Sequence, residues 1–205
     1  MKLASEASVF EALQVGSISL IELAATSALH AATEEIAAML LADFDAGSYV
    51  EDFFIHATTR AGSCYQAQLA LGHGFVTGTP ALVTASTFAD LATGDTLAST
   101  EYKIDAEKGG INIISTVDLQ GYYVRVTYSA GFEIDDVDDE LFASVPQWLQ
   151  LIATKVGCAA LIEMAPDLAG SAQGEAGRKP EEIRKAAYRM AEKKMRYFPS
   201  PIRPI

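Results

Sequence analysis

Residues 122–132 constrain the fold of this chain more than any other segment, and they read Tyr-Tyr-Val-Arg-Val-Thr-Tyr-Ser-Ala-Gly-Phe. Val124, Val126 and Tyr128 alternate with side chains that point the other way, the period-two pattern of a half-buried β-strand. Gly131 ends the pattern, because glycine can take a positive φ and let the chain turn. The segment predicts the last strand of an antiparallel sheet, fed by a compact hairpin.

Four segments on either side of this strand predict helices. A short helix is expected over 5–14, and a long one from Ser19 to about Phe44, where alanine and leucine are frequent and glycine and proline are absent. The segment after Pro146 is apolar nearly all round, so it is expected to be buried on several sides, in part by a neighbouring subunit. The last helix begins at Pro180, with acids in its first turn and bases in its last turn.

Short strands separated by close turns fill the region between the long helix and residue 132. The sequence therefore predicts an α+β fold, with long helices packed on a small antiparallel β-sheet or hairpin and an extended C-terminal helical arm. We expect one domain over residues 1–168 with a wide insertion at 45–80, a linker over 169–178, and a basic helix with a proline-rich arm over 179–205. Pro199, Pro201 and Pro204 favour an extended, polyproline-like end to this arm.

The charge of the chain is strongly uneven. The net charge is −12, yet residues 178–205 hold nine bases and three acids, so residues 1–177 carry −18. An acidic body argues against tightly held nucleic acid, because phosphate binding needs a basic surface. The basic tail could contact nucleic acid or an acidic protein surface. The sequence holds no apolar run long enough for a membrane helix and shows no signal peptide, so no membrane partner is expected.

The residue types that usually carry chemistry do not fall into a recognisable pattern. His30, His56 and His73 lack the spacing to Cys or acids that metal sites show, and Cys64 and Cys158 are expected to be free thiols. Six of the eight residues 133–140 are acids, but the run lacks the glycine and the final ligand of an EF-hand. We therefore expect no enzyme, no cofactor and no metal. Repeated around a ring, this acidic loop would repel DNA and let it slide.

The order of several segments resembles the head–tail connector (adaptor) family of tailed bacteriophages. The resemblance covers roughly residues 20–165: a long helix, the entry Thr-Pro-Ala-Leu-Val-Thr-Ala at 79–85, Glu-Tyr-Lys-Ile-Asp at 101–105 with a Gly-Gly turn, the strand ending in Ala-Gly-Phe at 130–132, and a Val-Pro pair at 145–146 that opens an apolar helix. In that family the last strand typically reads Val-x-Val-x-Tyr-x-Ala-Gly-aromatic.

The resemblance implies a non-catalytic subunit of a homo-oligomeric ring, typically of twelve copies, in the virion neck. Such a ring docks on the portal protein, joins it to head-closure (stopper) or tail proteins, and lets DNA pass without specific binding. Its expected location is the head–tail interface of the virion, and the host cytoplasm during assembly. From charge and proline content we expect portal contacts along the arm, at Arg184, Arg189, Lys193, Lys194, Arg196, Tyr197, Phe198, Ile202 and Ile205. The acidic loop is expected to face the channel or a partner through Asp135, Asp136, Asp138, Asp139 and Glu140.

Three other readings stay open, and one of them is an enzyme whose site is assembled from residues scattered along the sequence. Within the same class, the chain could be a head-closure or tail-completion protein. It could also be a nucleic-acid-binding module that uses the basic C-terminal tail, in which case binding would fall steeply with salt.

Overall fold

The computed structural model describes residues 2–14, 19–40, 44–132, 145–167 and 178–195, and the chain divides into two units. The helical unit is built from residues on both sides of the sheet unit in the sequence. Its helices are α1 (Glu6–Leu13), α2 (Ser19–Leu40), α3 (Gln147–Met164) and α4 (Pro180–Met195). The sheet unit holds residues 44–132. Its strands are β1 (Gly47–Phe54), β2 (Thr59–Ala61), β3 (Cys64–Ala70), β4 (Val76–Ala85), β5 (Asp95–Thr96), β6 (Tyr102–Asp105), β7 (Gly110–Ser115) and β8 (Tyr123–Ala130), with a 3-10 helix at Phe88–Ala92.

Helix α3 is the centre of the helical unit. It packs against α1, α2 and α4, and Leu149, Ile152 and Val156 are fully buried. Gly157 lies in the interior of α3, where glycine is normally unfavourable. A Cβ at this position would lie 2.9 Å from Leu29 Cδ2, so the glycine lets α2 approach closely. The apolar surface of α3 is therefore buried largely within the chain itself.

Two four-stranded antiparallel sheets form the sheet unit, with strand orders β1-β8-β4-β5 and β2-β3-β7-β6. Strand β8 lies inside the first sheet and pairs with β1 over its whole length, from Gly47 with Ala130 to Phe54 with Tyr123. The predicted alternation is confirmed, because Val124, Val126 and Tyr128 are buried. These side chains share one core with residues of the second sheet, among them Leu69, Ile111 and Ile113.

The prediction of long helices on a small sheet or hairpin was wrong, because the chain is mixed α+β with two full sheets. The predicted hairpin of β6 and β7 exists, but it does not feed β8: β7 pairs with β3, while β8 pairs with β1 and β4. The sequence pattern locates single strands, whereas the choice of partner depends on residues that are distant in the sequence.

The C-terminal helix is also not an extended arm over its described part. Helix α4 packs against α3, and Ile183, Ala187 and Ala191 are buried between them. Helices α3 and α4 belong to one unit of the structure. Three small or branched side chains at helical spacing give α4 an apolar stripe that stabilises this packing.

Gly131 lies at the end of β8, where a side chain has no room. Its φ is +89°, and a Cβ added there would lie 2.2 Å from the carbonyl oxygen of Asp45. The next residue, Phe132, donates its amide hydrogen to the Phe44 carbonyl oxygen at 2.9 Å. The glycine therefore allows the two ends of the sheet unit's chain to run side by side.

We predict that Gly131→Ala lowers the free energy of unfolding by about 3 kcal/mol, since backbone strain and a backbone clash add. Gly78→Ala is the matched control, because Gly78 also has a positive φ (+69°) but no atom within 4 Å of the added Cβ. It should cost only about 1 kcal/mol. Urea unfolding followed by circular dichroism measures the free energy of unfolding of both variants. Hydrogen exchange of the β8 amides reports on the stability of the sheet unit. Equal costs would show that the Asp45 contact is unimportant.

Candidate functional site

Helix α4 carries a basic side opposite its buried stripe. Lys185, Arg189 and Lys193 recur every four residues, so they line one side of the helix, and all three are exposed. We call these three residues the α4 basic stripe. A shallow groove of about 480 Å³ runs along the same helix, and Lys185 and Arg189 line it together with the acids Glu181 and Glu192. Such a surface can bind a carboxylate-rich or phosphate-rich partner through long, freely rotating cations.

The end of α4 meets the start of α3. The Lys194 ammonium lies 5.9 Å from the centre of the Trp148 ring, a cation–π geometry. Trp148 also lines a second open groove of about 480 Å³, between the first turns of α1 and α3, together with Ser5, Gln150 and Leu151. Leu151 is 46% exposed. The groove is lined by apolar side chains together with hydroxyl and amide groups, and Lys194 of α4 contacts one of its walls through Trp148.

Arg184, in contrast, forms ion pairs within the chain. Its guanidinium donates to both oxygens of Glu163 on α3, one of them at 2.9 Å, and its Nε donates to Glu35 on α2 at 3.1 Å. The Tyr188 hydroxyl also donates to Glu35. One arginine thus ties α4 to α2 and α3, which gives it a structural role, and we leave it out of the proposed partner surface.

The electrostatics of this network follow from its geometry. The hydrogen bond and charge of Arg184 lower the pKa of the Glu163 carboxyl, and Glu163 in return raises the pKa of the Arg184 guanidinium. Burial and the hydrogen bond to Glu35 raise the pKa of Tyr188 to about 12. At neutral pH the Glu163 carboxylate and the Arg184 guanidinium are therefore charged, and the Tyr188 phenol is neutral.

A second polar cluster lies on the inner face of the sheet unit, at its margin. The Tyr128 hydroxyl donates to Glu51 Oε1 at 2.5 Å and lies 3.2 Å from His73 Nδ1, while Tyr49 stacks on the His73 ring at 3.7 Å between centres. Glu51 also accepts the Gly72 amide hydrogen at 3.0 Å. Burial raises the pKa of the Tyr128 hydroxyl, and its hydrogen bond to Glu51 raises this pKa further. The cluster fixes the turn after β3, and its polar groups are hydrogen-bonded to one another.

The remaining predicted residues divide between described and undescribed parts of the chain. Arg189, Lys193 and Lys194 lie exposed on α4, as the partner-surface hypothesis requires. Arg196, Tyr197, Phe198, Ile202 and Ile205 lie outside the described residues, and so do Asp135, Asp136, Asp138, Asp139 and Glu140. Cys64 is half-buried and Cys158 buried, and both are free thiols.

Within the described ranges, no group of three His, Cys, Asp or Glu side chains comes together to hold a metal ion. The same ranges hold no helix that is long and apolar enough to cross a membrane. Sequence reasoning missed Glu35, Glu163 and Glu51 as network residues. No local pattern marks them, because each carboxylate meets its partner only through residues far away in the sequence.

No family model matches the chain, and no curated protein sequence matches it.

We predict that Arg184→Gln loosens α4 and lowers the free energy of unfolding by about 1–2 kcal/mol, a value reduced by partial solvent screening. Hydrogen exchange of the α4 amides and the fluorescence of Trp148 report on this packing. Lys185→Gln, one position along and exposed, is the control and should change stability by less than about 0.5 kcal/mol. In a double-mutant cycle with Glu163→Gln, the two changes should not add. Full additivity would contradict the proposed network.

The pKa of Glu163 gives a prediction about pH. A carboxyl whose pKa is lower in the folded than in the unfolded protein stabilises the fold above its unfolded value and loses that effect as pH falls through its folded value. For Glu163 the unfolded value is 4.5, so its contribution should disappear progressively below that pH. Acid titration of stability should therefore be less steep in Glu163→Gln than in the wild type. An unchanged acid limb would rule out this contribution.

Proposed function

We propose that this chain is a structural subunit of a ring adaptor in the neck of a tailed bacteriophage, which docks on the portal protein and joins it to head-closure or tail proteins around the DNA channel. The observation that carries the proposal is the ordered set of segments that resembles head–tail connectors. The strand that reads Val-x-Val-x-Tyr-x-Ala-Gly-Phe is β8, and the Val-Pro pair at 145–146 directly precedes α3. The glycine of the first segment directly follows β8, and the proline of the second directly precedes α3, so each lies at the boundary of an element.

The proposed portal contact uses the basic side of α4. Its exposed bases Arg189 and Lys193 point away from the buried stripe, so they are available to an acidic partner without unpacking the helix. Lys194 is also exposed, but its ammonium lies over the Trp148 ring of α3. Because residues 1–177 carry −18, copies of the acidic body would repel DNA, which suits a channel that DNA crosses without binding. Portal contacts at Arg196, Tyr197, Phe198, Ile202 and Ile205 stay a prediction from the sequence.

One argument for a ring is weaker than the sequence suggested. The apolar surface of α3 was expected to need a neighbouring subunit, but α1, α2 and α4 cover much of it. Apolar side chains that are exposed in the helical unit, such as Leu23, Leu151 and Met164, are separate candidates for contacts between copies. Ring assembly therefore depends on these smaller surfaces or on residues outside the described ranges.

The decisive experiment measures the mass of the purified protein alone and with the portal protein from the same genome, by light scattering and native mass spectrometry. A ring, or a monomer that joins the portal in a fixed number of copies, is expected. If the protein does not bind the portal protein but binds DNA with an affinity that falls as salt rises, the nucleic-acid-binding alternative is favoured. Binding to a tail protein alone would favour the tail-completion role.

We predict that the triple change Arg189→Gln, Lys193→Gln and Lys194→Gln weakens portal binding at least about 10-fold, which is about 1.4 kcal/mol. The matched control removes three bases from the sheet unit, Arg60→Gln, Lys103→Gln and Lys108→Gln, and should leave affinity within about twofold. Raising the salt concentration should weaken the wild type more than the α4 variant. Equal losses in both triple variants would mean that only net charge matters, and would contradict a specific contact.

A further inference from the structure

Strand β1 forms an open edge of the first sheet. It lies at the end of the strand order β1-β8-β4-β5, so β8 is its only hydrogen-bonded neighbour among the described strands. Just beyond β1, the Ile55 amide donates to the Tyr122 carbonyl oxygen at 2.9 Å. Because hydrogen-bonded pairs alternate along an antiparallel ladder, the odd-numbered residues of β1 bond to β8. The backbone N–H and C=O groups that point to the open edge belong to the even-numbered residues Ser48, Val50, Asp52 and Phe54.

These outward backbone groups form no hydrogen bond with any described residue. Ser48 and Val50 are exposed, and the side chain of Val50, near the middle of the edge, is 60% exposed. A row of unpaired amide and carbonyl groups on an extended strand is a template for one more strand. The occupant of this edge is therefore an extended segment that supplies the complementary row of groups.

The other three edge strands of the two sheets are short. Strand β5 has two residues, β2 has three and β6 has four, and β2 and β6 each carry a base, Arg60 and Lys103. Short length and positive side chains are common devices that keep sheet edges from pairing. Strand β1 has eight residues with no proline and no base, and it pairs with β8 without a bulge. Among the described strands, β1 alone is an edge that can add a long strand.

The two acids of β1 do not block such pairing, because both are already bound within the sheet unit. Glu51, on the inner face, accepts hydrogen bonds from the Gly72 amide and the Tyr128 hydroxyl. Asp52, on the outer face, accepts two hydrogen bonds from the Arg125 guanidinium, at 2.7 and 2.8 Å. Strand β1 thus offers no unpaired carboxylate to a basic peptide. The charge of the edge favours a strand without free charges, and β1 of a second copy is such a strand.

We infer that two copies of this chain pair through their β1 edges, antiparallel and about a twofold axis at Val50. Two identical strands can pair in this way because a twofold contact is self-complementary. With the axis at Val50, the two valines lie opposite each other, and Ser48 of each copy lies opposite Asp52 of the other. An axis at Glu51 or Asp52 would instead place two like carboxylates opposite each other, which destabilises a strand pair.

This contact is independent of the ring-adaptor proposal. A twofold contact closes after two copies, so it is not the contact that repeats around a ring. It concerns the free protein in solution, and it leaves the basic side of α4 to the portal protein.

Cysteine cross-linking of the full chain tests the pairing and its register together. In a Cys64→Ser background, where the remaining Cys158 is buried, Val50→Cys should form an intermolecular disulfide on mild oxidation. The reason is that hydrogen-bonded partners have Cα atoms about 5.5 Å apart, within disulfide range. Ser48→Cys is the matched control, because it would lie roughly 13 Å from its counterpart and could not be bridged. Non-reducing gel electrophoresis should show at least about 10-fold more dimer for Val50→Cys.

Charge variants test the pairing without cross-linking. Val50→Lys should weaken dimerisation at least about 10-fold, because it places two like charges opposite each other at the axis. Thr127→Lys is the matched control, since Thr127 is exposed and pairs with Val50 from β8, one strand away from the edge. It adds the same charge to the same face but farther from the axis, so the affinity should change by no more than about threefold. Analytical ultracentrifugation measures the affinity, and circular dichroism checks that both variants fold.

Amide hydrogen exchange reads the edge directly in the wild type. The amides of Val50 and Asp52 should exchange more slowly as the protein concentration rises, because dimerisation pairs them. The amides of Glu51 and Phe53 are bonded to β8 in either state, so their protection should not depend on concentration. Nuclear magnetic resonance resolves the four amides.

Four results would overturn the inference. The first is a wild-type protein that stays monomeric up to about 100 μM. The second is equal cross-linking of Val50→Cys and Ser48→Cys, and the third is an equal loss of affinity in the two lysine variants. The fourth is protection of the Val50 and Asp52 amides only when portal protein is added, which would assign the edge to a strand of that partner. A failure to form rings or to bind the portal would leave the expected results unchanged.

Discussion

The pairing of β1 with β8 is the interaction on which the rest of the structure depends. It joins residues 69 to 83 positions apart, from Phe54 with Tyr123 to Gly47 with Ala130, so its loop-closure entropy must be offset by burial. The inner face of this pair supplies Phe53, Val124 and Val126 to the core of the sheet unit. The pairing also holds Phe44 beside Phe132, where the chain enters and leaves this unit, and Gly131 is the residue that makes this approach possible.

The helical unit depends on α3 in a comparable way. Because α3 is covered by three other helices, the free surface of the unit is decided by how each of those helices is rotated about it. For α4 the rotation is fixed by Ile183, Ala187 and Ala191 on one side and by Arg184 with its two carboxylates on the other. What remains outside is the α4 basic stripe. Two bases of this stripe, Arg189 and Lys193, belong to the surface proposed for a portal partner, so their exposure is a direct consequence of internal packing.

Much of the local structure could be predicted from the sequence, because it depends on neighbours in the chain. The alternation of β8, the four helices and the hairpin of β6 with β7 all follow from periodicity and turn residues. The size of the sheets could not be predicted, since each strand had several possible partners. The same holds for the candidate site. The bases of α4 can be recognised in the sequence as a charge pattern. That Arg184 is bound to Glu35 and Glu163, and so is not part of the partner surface, can be recognised only in the structure.

The sequence by itself determined the approximate positions of the four helices and of β8, the contrast between an acidic body and a basic end, and the order of segments that resembles phage connectors. These properties depend on neighbouring residues or on sums over the sequence, so they can be predicted without knowing which residues are in contact. Only the tertiary structure decided that residues 44–132 form two sheets around one core, and that α4 packs on α3. It also decided that the rings of Phe54, Tyr123 and Phe88 contact one another. The physical reason is that each of these features joins side chains distant in sequence, whose meeting depends on the free energy of the whole packed core.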